Sequence, residues 1–462
     1  MYTELFKLCG FEPEEIERER PRIDKAFQIL EIGAEDISQA QERVTEFFDT
    51  ELLGVRKALG IWMKRLINLV LAKEEGKMII YPCWPTDPRV VAAGALVSDK
   101  VLCETPEMVI DIALGQIFGK INPILEAAEQ HGMPPGLGMC SLNQARLGGI
   151  AKGIVPVPDV TLTASHMCDQ SAKTDELLHE VYGVHNIFFD QCLDSNWDEF
   201  PGFSPRRIEY FATEIRQCLE ELQEVVGDKL TEEALRTARV ETAKLGLAMN
   251  QIWELMKADP QPISQVDVGL LYWMVMDPER VTLNEGVKTF GILTEEIKNR
   301  VDQGKGVVEK GAPKVVLSIH QSTDPSFLHM VESLGLAIPV SAFLWVAPWE
   351  RAKSEVTSFE EKTALIQMRK GLAHSTSGWL QLYKECCRAF DADGFLLFYL
   401  FSCRPFAIAP LIMKKSIEDE LGIPVLALEG DAYDTRDYST EALRTRVETF
   451  AEMLKMSKAA KA

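Results

Sequence analysis

The chain has no excess of basic residues. Its 462 residues carry 49 Lys and Arg against 70 Asp and Glu, a formal net charge of −21. Duplex nucleic acid is bound through a basic face that displaces counterions, and this composition offers none. Binding to an anionic membrane surface is disfavoured on the same ground. No apolar run approaches the roughly 18 residues that a membrane span needs. The stretch MYTELFKLCGFEPEEIERERPR is acidic and has no apolar signal segment, so the expected location is the cytoplasm. There is no GxxxxGKS or GxxxxGKT, so ATP is expected to bind a partner rather than this chain. No GxGxxG follows a strand, which argues against a dinucleotide site. No CxxC pair occurs, which excludes a zinc ribbon and a local ferredoxin motif.

What is present suffices for real cores. Hydrophobic residues make up 46% and charged residues 26%, which rules out disorder as the main state. At about 100–200 residues per domain the length suggests about three domains. Residues 1–76 read as an N-terminal helical segment, with three- and four-residue apolar spacing through IWMKRLINLVLAKEEG and Gly76 as the stop. Residues 77–203 read as a first α/β lobe. Its strands are KMIIYPCWP, DVTLTAS and NIFFD, and ETPEMVIDIALGQIFGKINPILEAAEQHG reads as one long helix. Residues 204–310 are helical almost throughout and form an insert or connector. Residues 311–462 return to the strand–helix rhythm with KVVLSI, IPVSAFLWV, DGFLLFYLF and PVLALEGD as strands. The fold class expected is α/β, with two flavodoxin-like (Rossmann-like) parallel-sheet lobes. In such sheets ligands gather at the carboxyl ends of the strands.

Ten cysteines in a long chain without an export signal point to metal ligation, redox chemistry or plain burial. Cys83, Cys168, Cys192 and Cys403 each follow the end of a strand. Cys140 follows the Gly-rich loop PPGLGM, and Cys103 ends VSDKVLC before a helix. Cys9, Cys218, Cys386 and Cys387 sit at ordinary packing positions in helices. Taken singly, any of the first six is as well explained as a buried small apolar residue. Together they favour a shared site assembled from loops distant in sequence. Cys140, Cys168 and Cys403 each precede a helix, where backbone N–H groups favour a thiolate.

The tail SCRPFAIAPLIMKKSIEDELGIPVLALEGDAYDTRDYSTEALRTRVETFAEML resembles the C-terminus of the 2-hydroxyacyl-CoA dehydratase and benzoyl-CoA reductase family. The resemblance rests on the SC after a strand, GIPVL, the pair Glu429 and Asp431, the pair Asp434 and Arg436, and TRVETF. VPDVTLTASHMCDQSAKTDELLHEVYGVHNIFFD is similar to the family's second cysteine segment and GLGMCSLNQARLGG to its first. The resemblance implies two α/β lobes around a 4Fe-4S cluster held by Cys140, Cys168 and Cys403. It also implies an ATP-hydrolysing iron–sulfur activator that supplies a low-potential electron. In the dehydratases that electron is recycled, and in the reductases electrons are consumed.

Cys83, Cys103 and Cys192 depart from the family pattern. Thiols at these loops resemble the family's double-cubane branch, homodimeric ATP-dependent reductases with an 8Fe-9S cluster. That resemblance makes all six cysteines metal ligands. The alternative is that the extra three are packed thiols in a single-cluster subunit. Among other residues, His166 and His320 fall at strand ends as candidate proton donors, and Arg404 lies beside Cys403 as a candidate partner for cluster or substrate charge. A structural role is the favoured reading of each histidine and explains Arg404 equally well. Glu429, Asp431 and Asp434 are candidate proton shuttles or helix caps, and Trp84 and Trp197 candidate shields of a cluster. The expected function is ATP-dependent reduction of a small substrate at a double cubane. The alternatives are a 4Fe-4S subunit of a CoA-thioester dehydratase or benzoyl-CoA reductase, working with a sister subunit, and a non-catalytic electron carrier.

Overall fold

The computed structural model describes residues 2–133, 139–165, 168–191, 199, 202–319, 324–370, 376–436 and 439–461. Two four-stranded sheets organise it. The first holds β1 (Met78–Pro82), β2 (Val101–Cys103), β3 (Val160–Ala164) and β4 (His185–Phe189) in the order β2-β1-β3-β4. The second holds β5 (Lys314–Leu317), β6 (Ala337–Ser341), β7 (Gly394–Leu400) and β8 (Val425–Gly430) in the order β6-β5-β7-β8. Every pairing is parallel. The expected α/β architecture of two lobes is therefore what the chain adopts, and both lobes share one strand order. In each, the order reverses between the first and third strands, the place where open α/β sheets leave a crevice. Parallel strands covered on both faces are buried: β3 along its whole length and β7 at all but one position.

The N-terminal segment forms helices Thr3–Leu8, Pro13–Ile29, Ala34–Phe47 and Leu53–Leu71. The last is the most buried, and its Arg65 is fully enclosed, where it pairs with Glu104 and Asp277. The connector forms helices Pro205–Val226, Glu232–Leu255, Gln265–Met276 and Arg280–Gln303. It does not stand apart from the lobes. Pro205–Val226 packs on β4, and Arg280–Gln303 packs on Leu53–Leu71.

The single long helix read from Thr105 is not formed. It is divided into Pro106–Val109, a wider-wound π-helical stretch Ile110–Ile117, and Asn122–Gln130. Gly119 takes a left-handed φ of +67°, and Pro123 starts the next helix, so the apolar periodicity continues across a break in the backbone. Helix Ser141–Ala151 then packs backbone to backbone on Asn122–Gln130. A Cβ at Gly148 would overlap the Ile124 carbonyl oxygen, so only glycine permits this approach. That contact fixes the height of Cys140 at the start of the helix.

Candidate functional site

Three cysteines occupy the same local position. Cys140 is the N-cap of helix Ser141–Ala151, Cys168 of Asp169–Tyr182, and Cys403 of the short helix Arg404–Ala407. Cys168 and Cys403 follow β3 and β7, the corresponding strands of the two lobes. All three line one cavity of about 60 Å3 at the junction of the lobes. Its wall is almost wholly apolar and includes Trp84, Met108, Trp273, Ile319, Phe406 and Tyr433.

Local hydrogen bonds hold the sulfurs. Asn143 Nδ2 donates to Cys140 Sγ at 3.4 Å. The Ser171 N–H donates to Cys168 Sγ at 3.4 Å, and Ser171 Oγ lies 3.3 Å from the same sulfur. Burial pushes the Cys403 thiol up to about 12, reinforced by Cys168 and opposed by the Phe406 N–H. Burial raises Cys140 well above the usual thiol range, and Cys168 and Cys403 push it further. Burial in an apolar pocket thus disfavours ionisation of Cys140 and Cys403. A bound cationic centre inverts this balance, because coordination deprotonates a thiol.

A polar frame ties the three cysteine segments together. Gln170 Oε1 accepts the Cys140 N–H at 2.7 Å, and Gln170 Nε2 donates to the Ser402 carbonyl at 3.1 Å. The Asp431 carboxylate accepts from Ser141 Oγ on one oxygen and from Ser402 Oγ on the other. The Tyr433 N–H donates to Ser141 Oγ at 2.8 Å. Beneath the cavity, Arg146 is fully enclosed. It donates to both oxygens of Glu107, to Asp175 at 2.6 Å and to the Pro82 carbonyl at 2.9 Å. It thereby links the helices of Cys140 and Cys168 to the end of β1. Burial still raises the Asp175 carboxyl to about 6, against the pull of Arg146.

Cys83 and Cys103 lie elsewhere. Cys83 directly follows β1, but its sulfur turns into the first lobe's core, where it accepts the Ala164 N–H at 3.2 Å. Burial pushes its thiol up to about 12. Cys103 pairs across from Ile80 and packs on Gly94, where a Cβ would come within 2.8 Å of its sulfur. Neither lines the cavity of the other three. Arg404 forms an ion pair with Asp169, joining the helices that Cys403 and Cys168 cap. Trp84 lines the cavity. Asp434 is held by Arg436, which also reaches Glu129, while Glu429 accepts from Tyr399 Oη at 3.0 Å on an exposed face. His166, His320, Cys192 and Trp197 lie outside the described residues. Gln170, Ser141, Ser402 and Arg146 were not singled out from the sequence. Among the described residues no helix is long and apolar enough to cross a membrane.

A family model described as 2-hydroxyglutaryl-CoA dehydratase, D-component, matches residues 90–454. The alpha subunit of lactoyl-CoA dehydratase from Anaerotignum propionicum is 22% identical over 315 residues, covering 66% of this chain and 71% of that subunit. The alpha subunit of (R)-2-hydroxyglutaryl-CoA dehydratase from Acidaminococcus fermentans is 20% identical over 308 residues, covering 65% of this chain and 61% of that subunit. A benzoyl-CoA reductase subunit from Thauera aromatica is 22% identical over 337 residues, covering 68% of this chain and 76% of that subunit. The family match takes in all three cavity cysteines and most of both sheets, so the chain belongs to the 2-hydroxyglutaryl-CoA dehydratase D-component family.

Proposed function

We propose that this chain is an enzyme subunit of the dehydratase or reductase type, in which Cys140, Cys168 and Cys403 hold an iron–sulfur cluster at the junction of the lobes. One observation carries the reading: three helix-capping cysteines, drawn from both lobes, line a single apolar cavity. Two further features fit such a group. Among the described residues the buried indole N–H groups of Trp84 and Trp273 have no acceptor, and both rings line the cavity. Cluster sulfides accept hydrogen bonds of that kind. Among the described residues no three His, Cys, Asp or Glu side chains stand close enough to hold one metal ion. In a cubane each thiolate binds a different iron, so its ligands stand further apart than those of a single ion.

When bound, such a cluster supplies one-electron chemistry at low potential. The chain's own residues hold and shield it. Asn143, Ser171 and the Phe406 N–H donate toward the three sulfurs, which stabilises them as thiolates. Trp84, Trp273 and Phe406 keep water from the cavity. We favour one four-iron cluster over the double cubane because the sulfurs of Cys83 and Cys103 are directed into the first lobe's core.

The electron comes from an ATP-hydrolysing iron–sulfur activator, since neither phosphate-binding motif is present here. Directly after the Cys403 helix, Ile408, Leu411 and Ile412 are 73%, 75% and 64% exposed. An apolar patch beside an electron-accepting site suits the docking of that donor. By analogy with the relatives' names, the substrate is a CoA thioester and a sister subunit completes the enzyme.

Anaerobic purification with iron and sulfide analysis tests the reading. The expected result is about four irons per chain, lowered in Cys140→Ala, Cys168→Ala and Cys403→Ala and unchanged in Cys83→Ala and Cys103→Ala. An iron-free chain, or unchanged iron in the first three variants, overturns it. About eight irons per chain, with loss in Cys83→Ala, restores the double cubane instead.

A further inference from the structure

Two more cavities continue from the thiol cavity through shared lining residues. Trp84 lines the thiol cavity and also the second cavity, whose wall is mostly apolar and includes Tyr272, Phe343 and Trp345. The second shares Val275, Met276, Val346, Glu350 and Lys370 with a third, wider cavity of about 290 Å3. Three adjoining spaces thus run from the cysteines to a chamber with a different character. Three cations, Arg89, Arg351 and Lys370, line that chamber against one carboxylate, Glu350.

The three cations are not equivalent. Arg89 is already engaged by Asp87 at 2.9 Å. The Lys370 ammonium is buried and has no hydrogen-bond partner among the described residues. Glu350 faces it, but among the described residues no ion pair joins them, and Glu350 Oε1 instead accepts the Ala347 N–H at 3.0 Å. Burial holds the lysine below its ordinary range, and a counter-ion in the cavity would restore its charge. Buried charges in folded proteins are paired, so an unpaired one lining a cavity points to a ligand.

We propose that Lys370 is the counter-ion for a carboxylate on the substrate, which sits in the wider cavity while its apolar part extends past Phe343 toward Trp84. The inference rests on the thiol cavity being the reacting centre, and it adds a substrate class to that reading. The adjoining cavity selects the carboxylate. Its mostly apolar wall suits a carboxylate carried on an apolar chain, and Glu350 beside the ammonium opposes a second negative charge.

The test is isothermal titration of the anaerobically purified full chain with butyrate and, separately, with pyrophosphate. Iron is assayed on the same samples. Butyrate is expected to bind, and Lys370→Met to weaken it at least about tenfold with iron content unchanged. Lys370→Arg keeps the charge and is expected to retain binding. Absence of butyrate binding, equal affinity in Lys370→Met, or tighter binding of pyrophosphate than of butyrate overturns the proposal. The two readings fail separately: an iron-free chain that still binds butyrate through Lys370 removes the cluster and leaves the anion site standing.

Discussion

Ser141 and Asp431 meet across the lobe junction: the hydroxyl beside Cys140 donates to a buried carboxylate that follows β8. The other oxygen of Asp431 accepts from Ser402, beside Cys403. One carboxylate therefore sets the spacing of two cysteine segments that lie in different lobes. In the sequence Asp431 reads as a proton shuttle or a helix cap; in the fold both of its oxygens are engaged in this strap. Asp431→Ala leaves two buried hydroxyls without their acceptor, at a cost of about 1–3 kcal/mol. Thermal unfolding is expected to register that loss, and iron content to fall with it. A variant with full stability and full iron would show that the strap does not position the thiols.

Arg146 does for the first lobe what Asp431 does for the junction. It joins Glu107, Asp175 and the Pro82 carbonyl beneath the helices of Cys140 and Cys168. Arg146→Met keeps the bulk but leaves two buried carboxylates unpaired, and removing one side of such a pair costs about 3–5 kcal/mol. Chemical denaturation is expected to show a loss of that size. The double variant Arg146→Met with Asp175→Asn is expected to recover part of it, since one stranded charge is then gone. A double variant no more stable than the single would mean that Asp175 is not held by this arginine.

Seven of the eight strands and the three cavity cysteines were legible in the sequence, for a shared reason, whereas the three-residue β2 (Val101–Cys103) was too short to show. Buried parallel strands are continuous apolar runs, and the residues directly after them lie at the sheet's carboxyl edge. The same logic placed Cys83 and Cys103 beside the others, because position at a strand end does not say which way a side chain turns. Cys83 follows Pro82 but faces the first lobe's core, while its neighbour Trp84 faces the cavity. The frame of Gln170, Ser141, Ser402 and Asp431 had no local signature. Each is an ordinary polar residue, and the Ser141–Asp431 contact spans 290 positions. The one available signal was an acidic residue directly after a strand that packs at a sheet edge. The broken helix after Thr105 was missed because its apolar spacing runs on through Gly119, where the backbone does not.

The exposed patch at Ile408, Leu411 and Ile412 gives a partner-dependent expectation. Leu411→Glu places a charge where an apolar surface would be covered, and at 75% exposure it should leave the fold intact. Reduction by the protein electron donor is expected to slow, whereas reduction by a small chemical reductant and the iron content stay as in the parent chain. Stopped-flow absorbance under both reductants separates the two. Equal slowing under both would place the effect in the site rather than the interface.

The chamber at Lys370 carries a pH dependence whose sign follows from two groups. Burial raises the Glu350 carboxyl to about 7, with the Ala347 N–H, Lys370, Arg351 and Arg89 opposing. Burial lowers Lys370, with Asp87 and Glu350 opposing and Arg89 reinforcing. As pH falls through about 7, Glu350 gains a proton and stops competing with an incoming carboxylate. Over the same change Lys370 can only gain positive charge. Both effects act in one direction, so butyrate affinity is expected to rise between about pH 8 and about pH 6, a range in which butyrate itself stays ionised. Glu350→Gln removes the first contribution, so its affinity at the alkaline end should exceed that of the parent chain and its pH slope should be shallower. Calorimetry on both proteins at the two pH values checks this. An affinity that falls on acidification would mean that the ammonium at Lys370 is not what the carboxylate meets.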